Sequence, residues 1–126
     1  MINRVGTVYI FVQDQGRAKA FYTEKLGMEL RVDVPMGQDS DSRWISVVPP
    51  GGQTDIVLRK FSEDWGHYRE ALGKSQALTL ECDDIDETYR VYKARGVQFL
   101  GEPKTEFWGR FVTLVDSEGN KIVLVQ

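Results

Sequence analysis

The sequence predicts an α+β fold: two tandem βαβββ units that curl into a half-open barrel with a concave cleft. Three observations carry that expectation. The order strand, helix, strand, strand, strand occurs twice, over about 1–61 and 75–126. A helical linker, 62–74, separates the two copies. The first strand is apolar on both faces, whereas a strand beneath one helix layer should be greasy on one side only.

"VGTVYIFV" alternates as a strand, with Gly6, Val8, Ile10 and Val12 on one face and Val5, Thr7, Tyr9 and Phe11 on the other. Asp14 is a good N-cap. The spacing of Ala18, Phe21, Tyr22 and Leu26 then predicts a helix over 16–26, ended by Gly27. "MELRVDV" is a strand, "MGQDSDS" a polar turn, "RWISVV" a strand ended by "PPGGQ", and "TDIVLRKF" a fourth strand. "SEDWGHYREALGKS" reads as a short helical linker, with Trp65, Tyr68 and Leu72 on one face. The second copy runs "QALTLEC", then a helix over 84–95 capped by Asp83 or Asp84, then "VQFL". After "GEPKTE" as a turn come "FWGRFVTLVD" as a long strand, the hairpin turn "SEGN" and the closing strand "KIVLVQ".

One helix covers one face of a four-stranded sheet. The repeat therefore implies that the other face is covered by the opposing sheet or forms a cleft. On this reading Val8, Ile10 and Val12 pack on the helix, and Thr7, Tyr9 and Phe11 line the concave side.

The totals narrow the function. At 126 residues the chain suits one domain or two very small units. A net charge of −3 and a pI of about 5.2 argue against nucleic acid as a partner. The single cysteine, Cys82, excludes an intrachain disulfide, fits a reducing cytosol, and at the end of an apolar run reads as a packed thiol. No stretch approaches the roughly 20 apolar residues of a membrane span, and the first strand lacks the continuous apolar core of a signal peptide. A soluble cytoplasmic protein is expected. "GGQ" lacks the strand-to-helix context of a phosphate loop.

The quoted words resemble the glyoxalase/bleomycin-resistance/dioxygenase superfamily, also called vicinal oxygen chelate proteins. "VYIFVQDQGRAKAFYTEKLGMEL" is similar to its first strand and helix, "ECDDIDETYRVYKARGV" to its second strand–helix unit, and "WGRFVTLVDSEGNKIVLVQ" to its closing hairpin. Metal enzymes of that family draw one His, Glu or Gln ligand from each of four cleft-facing strand positions. Matched to this chain, those positions hold Thr7, Val57, Ala77 and Val123, with Gln76 beside the third. Val and Ala side chains offer no lone pair, and slipping a strand by one residue turns it to the other face. The one histidine, His67, lies in the linker. The resemblance therefore implies the fold without the metal, and no cofactor is expected.

The expected ligand-binding cleft comprises Thr7, Tyr9, Phe11, Val57, Arg59, Ala77, Glu81, Trp108 and Val123. Aromatic walls with a few polar groups suit a small organic molecule, flat or cationic. Antibiotic-sequestering members of the family supply the analogy. The alternative is a metal-independent isomerase or lyase, with Glu81 or Asp55 as general base and Tyr9 or Arg59 stabilising an oxyanion. Structural roles compete with these. Tyr9 and Phe11 equally suit a closed barrel core, Arg59 and Glu81 a bridge across the sheet, Trp108 packing over Gly109, and Trp65 and Tyr68 packing of the linker. The face of Trp44 is open. Exposed sheet edges, together with the family habit of paired units, predict a homodimer.

Overall fold

The first unit is built around a sheet whose central ladder is incomplete and is finished by a side chain. The computed structural model describes residues 1–38, 41–74 and 78–126, and it divides into the units Met1–Leu72 and Gly73–Gln126. In the first unit, β1 (Thr7–Val12), β2 (Glu29–Pro35), β3 (Arg43–Val48) and β4 (Asp55–Lys60) form one sheet in the order β1-β4-β3-β2. β1 and β4 run parallel; the other pairs are antiparallel. The segment Glu63–Ala71 is a kinked 3₁₀ helix belonging to this unit.

α1 (Gln15–Ala20) starts where Asp14 accepts a hydrogen bond from Arg17 N at 3.0 Å. It continues as a wider, π-type turn over Phe21–Lys25, where Leu26 N donates to Phe21 O at 3.1 Å. Gly27 then takes φ +76°, which only glycine adopts without strain, and the chain turns into β2. Ala18, Phe21, Tyr22 and Leu26 are buried, as are Ile10, Val12, Ile45, Val47, Ile56 and Leu58 on the sheet face of the same parity. The predicted helix-side residue Val8 is the exception. It is 36% exposed, because α1 lies over β3 and β4 and leaves the start of the edge strand bare.

β3 and β4 pair directly only at Ser46↔Val57 and Val47↔Ile56. Beyond that point the buried amide of Gln15 stands between them. Its Nε2 donates to Leu58 O at 2.8 Å and to Arg43 O at 2.7 Å, and its Oε1 accepts from Arg43 N at 3.0 Å. One side chain thus satisfies three backbone groups and ties the helix start to both strands. Outside this wedge, Asp33 accepts from Lys19 at 2.7 Å and Arg43 at 2.6 Å. Those two cations hold its carboxyl below the usual carboxylate range.

The second unit repeats the plan. β5 (Thr79–Glu81), β6 (Gln98–Phe99), β8 (Gly109–Val115) and β9 (Lys121–Val125) lie in the order β5-β9-β8-β6, with β5 and β9 parallel. α2 (Ile85–Ala94) is capped by Asp84, which accepts from Glu87 N at 3.0 Å. Ile85 packs with Val112 and Leu124, beside Leu80, Cys82, Tyr89 and Phe99.

Two expectations are corrected here. "KTE" is a strand, β7 (Lys104–Glu106), rather than part of a turn, and it pairs with β8. Phe107 and Trp108 are the two-residue connection between β7 and β8 rather than the start of a long strand. The break follows from Gly109, whose φ of +143° and approach to Gln126 O (2.8 Å from an ideal Cβ) exclude other residues. The β8–β9 hairpin closes as expected. The buried Asp116 carboxylate accepts from Glu118 N, Asn120 N and Asn120 Nδ2 at 2.8–2.9 Å. Asp39, Ser40, Ser75 and Gln76 lie outside the described residues, as does Ala77.

Two stability outcomes are expected for the first unit. Gln15→Leu strands the backbone groups of Arg43 and Leu58, and urea denaturation is expected to show a loss of about 1–3 kcal/mol. Asp33 contributes stability above its unfolded value of 3.8 and loses it as pH falls through the lower folded value. The Tm difference between wild type and Asp33→Asn is therefore expected at neutral pH, should shrink as pH falls below 3.8, and should vanish only below the lower folded value.

Candidate functional site

The face of the first sheet opposite α1 is aromatic. Register puts Tyr9 beside Val57, Phe11 beside Arg59, and Ser46 across from Val57, so Trp44, two residues from Ser46, shares this face. Tyr9 meets the rings of Phe11, Trp44 and Trp65 edge-on, with centroids 6.1–6.2 Å apart. Phe11 lies 4.9 Å from the stacked ring of Tyr68 and 5.7 Å from Trp65. The 3₁₀ segment therefore folds its aromatic side chains onto the sheet of its own unit. Trp65 and Tyr68 do pack as part of the linker, and the surface they pack on is the one that carries Tyr9 and Phe11.

Arg59 is the polar centre of this cluster. Its Cζ lies 5.9, 5.8 and 5.7 Å from the ring centroids of Tyr9, Trp44 and Trp65. Such contacts are worth about 0.5–2 kcal/mol each, rising with desolvation. The guanidinium donates to Met36 Sδ at 3.7 Å. It also lines a cavity of about 210 Å³ with Met36, Ser42, Lys60, Ser62 and Asp64. Asp55, on the same face, faces Arg31 at 3.5 Å. Ser46 Oγ is buried with no hydrogen-bond partner among the described residues.

The other predicted residues are distributed differently. Thr7 is exposed at the start of β1, and Val57 is fully buried between Tyr9 and Ser46. In the second unit, Thr79↔Val123 and Glu81↔Val125 place Glu81 and Val123 on one face of their sheet, with Leu80 and Leu124 turned to α2. Trp108 is not on a strand: it sits in the β7–β8 connection, about half exposed, 5.4 Å from Phe111. Its neighbour Phe107 is fully exposed. His67 lies 4.2 Å from the Tyr68 ring. Cys82 donates to Val125 O at 3.5 Å, and burial pushes its thiol pKa up, away from nucleophilic character.

The family's four-ligand metal site does not fit the residues present. Val57 and Val123, which the resemblance matches to two of its positions, carry hydrocarbon side chains that cannot ligate a metal, and among the described residues no three His, Cys, Asp or Glu side chains converge. A larger hollow of about 540 Å³ opens at the start of α1. Among its lining charges, Lys19 and Arg43 pair with Asp33 and Lys60 with Asp41, while Asp14 caps α1.

Sequence reasoning missed Trp44, Ser46 and the part played by the linker rings. Alternation along "RWISVV", once anchored on Ser46↔Val57, assigns Trp44 to the aromatic face. The second signal was density: "FSEDWGHY" packs Phe61, Trp65, His67 and Tyr68 into eight residues directly after a strand.

A mixed fold of two repeated sheet units with an aromatic sheet face belongs to a known class. The chain is a member of the Glyoxalase/Bleomycin resistance protein/Dioxygenase superfamily, whose family model matches residues 2–124. It is 39% identical over 129 residues to YetH of Bacillus subtilis, covering 98% of each chain. Among solved structures it is similar to TnmS3, an antibiotic binding protein from Streptomyces sp. CB03234. Identity there is 35% and the TM-score 0.84, over 99% of this chain and 96% of that one. UcmS2 matches at 33% identity and a TM-score of 0.83, over 99% and 98%.

Proposed function

We propose that the protein binds a small, partly aromatic organic molecule on the aromatic face of its first unit and releases it unchanged, without a metal. The observation that carries this reading is the convergence of Tyr9, Trp44 and Trp65 on Arg59, on a sheet face that α1 does not cover. The likeness to an antibiotic binding protein over nearly the whole of both chains supports it. So does the energetic scale: burying one ring against a ligand contributes about 2–3 kcal/mol, and two or three such contacts support micromolar affinity. The Cys82 thiol, protonated and packed, is no nucleophile for a turnover step. A cytosolic location belongs to the same reading.

The test is a thermal-shift screen of antibiotics and aromatic metabolites, with each hit recovered and weighed by mass spectrometry. Hits are expected to raise Tm, to emerge unaltered, and to weaken at least tenfold in Tyr9→Ala and Trp44→Ala. A hit converted to product, with conversion lost in Glu81→Gln, would replace this reading with that of an isomerase or lyase.

The proposal includes assembly as a homodimer. The sheets end on β1 and β2 in the first unit, and on β5 and on β6 together with β7 in the second. Native proteins cover or pair such edges. Light scattering at micromolar concentration is expected to return twice the chain mass of 14.4 kDa; a single-chain mass refutes the dimer.

A further inference from the structure

We infer that the ligand is an anion: a flat aromatic compound bearing a carboxylate or another ionised acidic group, whose charge pairs with Arg59. The inference rests on the binding reading above and adds the charge of what is bound.

Arg59 carries the argument. It is half-buried, and within the described residues of the first unit no carboxylate comes within ion-pair range of it. Its single hydrogen-bond partner there is the thioether of Met36, a weak acceptor that leaves most of the five guanidinium N–H donors unused. A partly desolvated cation is costly when unpaired, and three aromatic faces compensate only in part. Asp55, a carboxylate on the same sheet face, already has Arg31 beside it. Lys60 in the adjoining cavity is neutralised by Asp41. The one opposing charge in that cavity is Asp64, which lines the same wall without pairing with Arg59. The charge in contact with the ring faces is therefore the Arg59 guanidinium, a planar group suited to bidentate contact with a carboxylate, and Asp64 balances it across the cavity without engaging its donors.

The geometry also disfavours the cationic ligand that aromatic walls otherwise invite. The ring faces that would receive a cation are the ones Arg59 already occupies, from 5.7 to 5.9 Å. A second cation there would lose those contacts and meet a like charge. An aromatic acid does neither: its ring joins the edge-to-face cluster while its oxygens take the free donors. The cavity of about 210 Å³ beside Arg59, with Ser62 on its wall, has room for such a group.

The test uses three probes of one shape: 2-naphthoate, its neutral amide 2-naphthamide, and the cation 2-naphthylmethylammonium. Each is titrated calorimetrically into the full chain at neutral pH and low salt. Naphthoate is expected to bind at least tenfold more tightly than the amide, and the ammonium most weakly. In Arg59→Gln the preference for naphthoate should fall to within about twofold while amide affinity holds. Arg59→Lys should retain part of the preference, and an unchanged melting profile of both variants confirms the fold. Equal or tighter binding of the amide or the ammonium overturns this inference and leaves the binding reading standing. A naphthoate preference that survives in Arg59→Gln also overturns it. Failure of all three probes to bind counts against both readings together.

Discussion

The amide of Gln15 is the interaction on which the first unit turns. Antiparallel neighbours normally satisfy each other's backbone groups along their length. Here β3 and β4 do so over two residue pairs, and the next positions bond to an inserted side chain instead. The insertion joins three elements at one point: the first turn of α1, the start of β3 at Arg43 and the middle of β4 at Leu58. The residues adjacent to Arg43 and Leu58 are Trp44 and Arg59, which project to the opposite face by strand alternation. The contact that anchors the helix on one side of the sheet therefore also fixes the backbone beneath the cation and its rings on the other.

The two units share a scaffold and diverge at its end. Both have the strand order of a parallel edge pair followed by antiparallel neighbours, and each has one helix on one face. They differ in the segment beyond the last strands. The first unit continues into a 3₁₀ segment carrying Trp65 and Tyr68, which fold back onto Phe11 and Tyr9. The second closes in a hairpin whose turn is held by Asp116 and Asn120, and its exposed aromatics stand at Phe107 and Trp108. A duplicated scaffold thus carries different decoration in its two copies, and the cluster of rings around a cation belongs to the first.

Much of the fold was legible in the sequence because it depends on local rules. Asp14 caps the first helix as its position predicted, Asp84 is the one of the two candidates Asp83 and Asp84 that caps the second, and Gly27 ends the first helix by its backbone conformation. Alternation correctly put Tyr9 and Phe11 opposite Ile10 and Val12. The misses came where a contact between distant segments decided the outcome. The break at Phe107–Trp108 depends on how closely Gly109 approaches Gln126. The exposure of Val8 depends on where α1 sits across the sheet. The partners of Arg59 depend on the linker folding back, which periodicity within "SEDWGHYREALGKS" does not reveal. Gln15 reads as an ordinary polar residue before a helix, since nothing local marks a side chain that will replace ladder bonds.

The clustering of rings has an optical consequence. Two of the three tryptophans, Trp44 and Trp65, sit within about 6 Å of Tyr9 and of the Arg59 guanidinium, while the third, Trp108, lies in the other unit beside Phe111. Edge-on chromophores at this spacing couple their transitions, so the near-ultraviolet circular dichroism of the protein should be dominated by the first unit. Indole emission from the same pair should respond to any change in the position of the neighbouring cation. The protein thereby carries an intrinsic reporter on this face, readable without label or modification.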